Sequence, residues 1–348
     1  MISADFKKIL QYTGNPDQVF FAQRLRLSEG KAEGLDVIDV DNGAGLRFWV
    51  LPGRCLDIGR LSLNGINVSF LSKAGFTNAA YYEPQGMAGL NTFAPGFLTT
   101  CGLRNSGLPN IADGEEFGFH GRIGQTPAAS VSIKRDLTAE KPYISISGRV
   151  NEGRLFGACL EMVRTLTIFY GENRLEIEDK ITNLAALPED IMMLYHFNLG
   201  YPFLTENARF FTSHQYEKPV DANAAAWEAQ RLQFKKPVAG MPENCFYYKQ
   251  KRNSSGDAFA ACVSEAAGFG VKISTSPEEL PLLCNWHSWA AGDYVMGIEP
   301  CTCYGDGRAE HQKRGQMINL APYETRRHLV TISFPDLNEC HRLAASVE

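Results

Sequence analysis

His196 lies in the apolar run Leu194-Tyr195-His196-Phe197-Asn198-Leu199, and Glu299 follows Gly297 and Ile298 and precedes Pro300. An imidazole and a carboxylate supply a proton donor and a proton acceptor, the pair needed to open and reclose a hemiacetal ring. Burial lowers a histidine pKa and a facing carboxylate raises it, so His196 serves as an acid only if such a carboxylate is near. Taken alone, a histidine in an apolar strand is more often a core residue, and a glutamate at a strand end is as often plain surface. The apolar lead-in to Glu299 (Val295, Met296 and Ile298) favours a cleft, and the neighbours of His196 shift the balance toward function.

A second tier of candidates could hold a ligand. His120 and Arg122 lie in Phe117-Gly118-Phe119-His120-Gly121-Arg122-Ile123-Gly124, where glycines let backbone approach a ligand and the two side chains offer fixed donors. Arg54 and Asp57 sit at a bend before a strand, and Arg104 and Asn105 sit in a long loop. Such groups suit hydroxyls that both donate and accept, although each reads equally well as a structural loop pin. Trp286, His287 and Trp289 offer aromatic faces for a pyranose, although tryptophans in a strand are more often core than sugar platforms. Arg54, Arg104 and Arg122 would favour a phosphosugar if they met on one anion. A rival reading makes His120, His196, His287 and Glu299 the ligands of a divalent metal, but no His-x-His spacing supports it.

Strands must position these groups. Alternation in Leu175-Glu176-Ile177-Glu178-Asp179-Lys180-Ile181-Thr182 puts Leu175, Ile177 and Ile181 on one face, and similar patterns run over 143–147, 160–169 and 328–334. Turn residues separate them at Asn64-Gly65, Asp41-Asn42-Gly43 and 170–173, as antiparallel neighbours require. On the His196 segment, Met192, Leu194, His196 and Asn198 share one face, and both faces are largely apolar. Pro300 is expected to hold Glu299 extended and to end its ladder. Helices are expected only over about 3–12 and 221–234, and the loop-rich stretches 73–124 and 237–256 read as loops that serve a site. The chain is thus all-β: a large antiparallel sandwich of two sheets with extra strands, forming one domain over 1–348.

A net charge of −5 without a basic stripe argues against nucleic acid and for a neutral or weakly charged small molecule. Nine cysteines, with only Cys301 and Cys303 closely spaced, match no zinc pattern and read as reduced thiols of a cytoplasmic protein. The first residues carry Asp5, Lys7 and Lys8 where a signal peptide needs an apolar core, and no run approaches membrane-spanning length. The expected partner is a small-molecule sugar, and the composition is compatible with a homo-oligomer.

Four motifs in order, Phe93-Ala94-Pro95-Gly96-Phe97-Leu98-Thr99-Thr100-Cys101-Gly102-Leu103, His120-Gly121-Arg122, Tyr195-His196-Phe197-Asn198-Leu199-Gly200-Tyr201-Pro202 and Gly297-Ile298-Glu299-Pro300, resemble the aldose 1-epimerase (galactose mutarotase-like) superfamily and its DUF4432 branch. The resemblance spans about 54–334. It implies a β-supersandwich, a free aldose or sugar-derived hemiacetal as substrate, and no cofactor. It also implies roles: His196 protonates the ring oxygen, Glu299 takes the anomeric proton, and His120 with Arg54 or Arg122 holds the ring. A carbohydrate-binding or regulatory module without turnover is the alternative of a different class.

Overall fold

The computed structural model describes residues 4–347, and antiparallel strands dominate them. One sheet has eight strands. It contains Tyr143–Gly153, Cys159–Phe169, Arg174–Asn183 and Thr325–Ser333, the segments whose alternation marks them in the sequence. Leu160, Met162, Leu166 and Ile168 alternate inward on one of these strands, and Leu175, Ile177 and Ile181 on its neighbour, so the sheet buries one face. A five-stranded meander runs from Phe21–Arg26 to Ile66–Asn67, with turns at the Asp41-Asn42-Gly43 and Asn64-Gly65 positions.

The third large sheet positions the chemistry. It orders Gln215–Pro219, Asn244–Lys249, Leu282–Ala290, Asp293–Cys301 and Glu189–Leu199, and Leu98–Leu103 also pairs with Glu189–Leu199. Ile191 to Leu199 is buried at every position, because one face meets the core and the other lies beneath covering loops. Met193, Tyr195, Phe197 and Leu199 join a hydrophobic cluster that also takes Ile38 and Phe48 from the meander and Leu166, Ile177 and Val330 from the eight-stranded sheet. The architecture therefore has three large sheets, one more than the two-sheet sandwich expected.

A buried ion network ties these sheets together. Arg164, fully buried on Cys159–Phe169, donates to both carboxylate oxygens of Asp179 at 2.9 and 2.7 Å and to Asp57 at 2.8 Å. The Tyr195 hydroxyl donates to the same Asp179 at 2.8 Å. Buried charges persist only when paired and hydrogen-bonded, and this cluster meets that condition.

Several elements differ from the sequence expectation. Both loop-rich stretches contain strands: Leu98–Leu103 in the first, with its threonines and glycine hiding any alternation, and Asn244–Lys249 in the second. Pro300 does not end its strand, which continues to Cys301. The pairing with Glu189–Leu199 steps around the proline, from Phe197 opposite Ile298 to Leu194 opposite Cys301. The first helix is Ala4–Leu10, and residue 3 of the expected span lies outside the described residues. The second is short. Asp221 caps Ala222–Ala226 by accepting from the Ala224 N–H, and Trp227 then packs on the core. An unexpected helix, Leu337–Ala345, follows an Asp336 cap that accepts from the Glu339 N–H.

Candidate active site

His196 and Glu299 lie on hydrogen-bonded neighbouring strands. With Phe197 opposite Ile298 and Leu194 opposite Cys301, one step back along the first strand and one forward along the second puts His196 opposite Glu299. Cross-strand neighbours share a face and approach closely. His196 Nε2 lies 3.3 Å from Glu299 Oε1, and the two residues are 5% and 4% exposed. Both line a cleft of about 740 Å³, inside the roughly 300–1,000 Å³ range of small-ligand sites.

Their setting leaves polar capacity unused. Among the described residues, His196 Nδ1 and Glu299 Oε1 in the cleft, and Asn198 Oδ1 on the same strand as His196, are buried without a hydrogen-bond partner. Unsatisfied buried polar atoms are costly and uncommon, and a polar ligand would relieve them. Three rings fix the His196 imidazole edgewise: Trp286 at 5.4 Å, His120 at 5.5 Å and Phe93 at 5.8 Å between centroids. Room for the Glu299 carboxylate comes from Gly297, two residues earlier on the same face. A Cβ there would stand 2.3 Å from Glu299 Oε1, so only glycine leaves the carboxylate its present place.

Burial governs the protonation of the pair. It pushes the His196 imidazole down to about 4, against hydrogen bonding that raises it. It holds the Glu299 carboxyl well above the usual carboxylate range, and the Glu243 carboxylate pushes in the same direction. Both shifts favour the uncharged forms, a neutral imidazole and a protonated carboxyl.

His120 reaches the same cleft from its glycine-flanked loop, with a φ of 61° that L side chains seldom adopt. Its Nδ1 accepts from the Gly107 N–H at 3.1 Å, which leaves Nε2 to carry the proton of the neutral ring. Trp286 forms part of the wall, its Nε1–H donating to Glu243 at 2.8 Å. The structure thus gathers His120, His196, Trp286 and Glu299.

The other sequence candidates lie elsewhere. Arg54, 2% exposed, donates to the Thr77 hydroxyl at 3.0 Å and to the Thr77 and Thr92 carbonyls at 3.2 Å, pinning a loop from behind. Asp57 accepts from the Thr100 hydroxyl and N–H and from Arg164, on the sheet face opposite the cleft. Arg104 pairs with Glu115 and Glu189, and the Asn105 amide donates to the Gly118 carbonyl. Arg122 is exposed and borders a separate depression with Arg104 and Glu152. His287 alternates with Trp286 to the other face and stacks on Trp289 at 4.5 Å, so the three histidines of the metal reading do not converge. Among the described residues no cluster of three or more His, Cys, Asp or Glu side chains has metal-holding geometry. All nine cysteines are free thiols.

The family model described as "Domain of unknown function (DUF4432)" matches residues 32–334. The chain belongs to the DUF4432 family. A provisionally named aldose 1-epimerase from Klebsiella pneumoniae subsp. pneumoniae is 26% identical to this DUF4432 member, with a TM-score of 0.90 over 96% of this chain and 90% of that one. A galactose mutarotase-like protein from Clostridium acetobutylicum superposes with a TM-score of 0.65 at 14% identity, over 92% of this chain and 100% of its own. A galactose 1-epimerase from Lactobacillus acidophilus gives 0.58 at 14%, over 91% and 99%. The last two likenesses fix the fold as galactose mutarotase-like. No curated protein matches the chain in sequence.

Within this DUF4432 site, sequence reasoning missed Glu243 and gave no role to Phe93 or Gly297, although both fall in the motifs that carry the resemblance. Glu243 lies in a stretch already singled out as site-serving, but its pairing with the Trp286 indole is a tertiary fact. Among the described residues no helix is long and apolar enough to cross a membrane.

Proposed function

We propose that this protein interconverts the anomers of an aldose by acid/base ring opening and reclosure, with Glu299 and His196 moving the protons. The observation that carries the reading is the 3.3 Å approach of His196 Nε2 to Glu299 Oε1 in the cleft. The anomeric hydroxyl oxygen and the ring oxygen are bonded to the same carbon, so two adjacent side chains can serve both at once. The proton resting on Glu299 passes to His196, giving a carboxylate and an imidazolium. Glu299 takes the anomeric hydroxyl proton while His196 protonates the ring oxygen, and the C1–ring-oxygen bond breaks to leave an aldehyde and a hydroxyl. Rotation about C1–C2 turns the other carbonyl face to that hydroxyl. Reclosure reverses both transfers, so the enzyme ends with its proton unchanged.

His120, through its Nε2–H, and the Trp286 face would hold the ring in this reading, and the low exposure of the pair strengthens each charge-assisted contact. The likeness to a provisionally named aldose 1-epimerase over 96% of this chain and 90% of that one supports the same reaction class. The test is catalysis itself. Purified protein added to freshly dissolved single-anomer aldoses should speed the approach to anomeric equilibrium in a polarimeter. Absence of acceleration across hexoses, pentoses and their deoxy and acyl derivatives would leave the binding-module alternative.

A further inference from the structure

Resting on the reading that His196 and Glu299 turn over a hemiacetal, we infer that the cleft takes an uncharged sugar bearing an apolar group remote from its anomeric carbon, and turns away phosphorylated, sulfonated and uronic sugars. Charge and rim chemistry carry this independently.

Lys73 is the sole lysine or arginine among the described residues lining the cleft, and it stands at the exposed rim, paired with Asp293, another lining residue, at 2.5 Å. The arginines that could have received an anion are occupied behind the loops or face another depression. Carboxylates line the cleft instead. Asp306 is paired with Arg314 at 2.6 Å, but Glu243 has only the Trp286 indole N–H, and Asp221 has only the start of a short helix. An anionic substituent would give up its hydration to meet several carboxylates against one rim lysine, which is how a site excludes a wrong ligand. A neutral substituent escapes that penalty.

The rim is apolar. Met87, Leu90, Leu108 and Val220 border this cleft and are 44%, 46%, 55% and 39% exposed. They come from separate segments, a turn at residues 87–92, a loop at 108 and the residue after Gln215–Pro219, so local sequence does not explain their meeting. Sugar hydroxyls gain nothing from four aliphatic side chains, whereas a hydrophobic group does. The cleft of about 740 Å³ also holds more than one pyranose ring can fill. The anomeric carbon must stay a free hemiacetal beside His196 and Glu299, because a C1 glycoside has no hydroxyl proton to give up. The apolar group is therefore carried on another ring carbon.

The test compares three sets of probes by saturation-transfer NMR: D-glucose and D-galactose, their mono-O-butyryl esters at C4 or C6, and their 6-phosphates. At least one ester should be exchanged with a kcat/KM roughly tenfold or more above its parent, as burial of a short alkyl chain implies. The 6-phosphates should fall at least tenfold below the parents. Leu90→Asn and Val220→Asn should each lower the ester-to-parent ratio. Parents exchanged as fast as every ester, phosphates exchanged as fast as parents, or a ratio unmoved by both variants would overturn the inference alone. No exchange of any probe would overturn the functional reading and this inference with it.

Discussion

Gly297→Ala isolates the placement of the proposed base from the stability of the fold. The added Cβ would stand 2.3 Å from Glu299 Oε1 and 3.3 Å from Trp286 Cε3, whereas ordinary contact begins at 3.4 Å. The carboxylate must retreat by 3.4 − 2.3 = 1.1 Å, since it is the mobile partner. A displacement of about 1 Å from productive geometry costs on the order of a hundredfold in rate. Gly297 lies in a strand and is not among the glycines with positive φ, so alanine strains no backbone and removes about 0.4–1 kcal/mol of unfolded-state entropy. The variant should keep its melting temperature within a few degrees and lose about two orders of magnitude in kcat for anomer exchange. Far-UV circular dichroism and NMR exchange rates on the same sample read both quantities. A folded variant with wild-type kcat would refute the claim that Gly297 makes room for the working carboxylate.

Burial yields three further predictions. Activity requires the pair to hold one proton, so kcat/KM should fall on the acid side as His196 takes a second proton near pH 4, and on the alkaline side as Glu299 loses the only one, well above the usual carboxylate range. Glu243→Gln removes a like charge from Glu299, lowers its pKa and should move the alkaline limb to lower pH; an unmoved limb, or an acid limb near 6.5, would contradict this account. Arg164→Met leaves Asp57 and Asp179 buried without their cation and should cost about 3–5 kcal/mol in denaturant unfolding, while a loss under about 1 kcal/mol would show the network to be dispensable.

The strands that alternate cleanly, such as Cys159–Phe169 and Arg174–Asn183, were legible because one face is wet and the other dry. Leu98–Leu103 was not, since all six residues are buried and burial on both faces erases the period. His196 and Glu299 stood out as ionisable residues in apolar runs, but that they face each other depends on strand register, which a single sequence does not reveal. The arginines show the limit from the other side. A guanidinium that pins loop carbonyls, as Arg54 does, and one that receives a sugar carry the same local signature, and only tertiary contacts separate them. Gly297 was visible two residues before Glu299, yet its value lies in an atom it lacks.

The central claim is most directly tested by measuring the anomer exchange rate of His196→Asn and Glu299→Gln beside wild type, by saturation transfer on a sugar the wild type exchanges. Each proton-transfer group accounts for about a hundredfold to ten-thousandfold, so both variants should lose at least two orders of magnitude while remaining folded. Wild-type exchange by either variant would remove that residue from the chemistry and break the pair on which the mechanism stands.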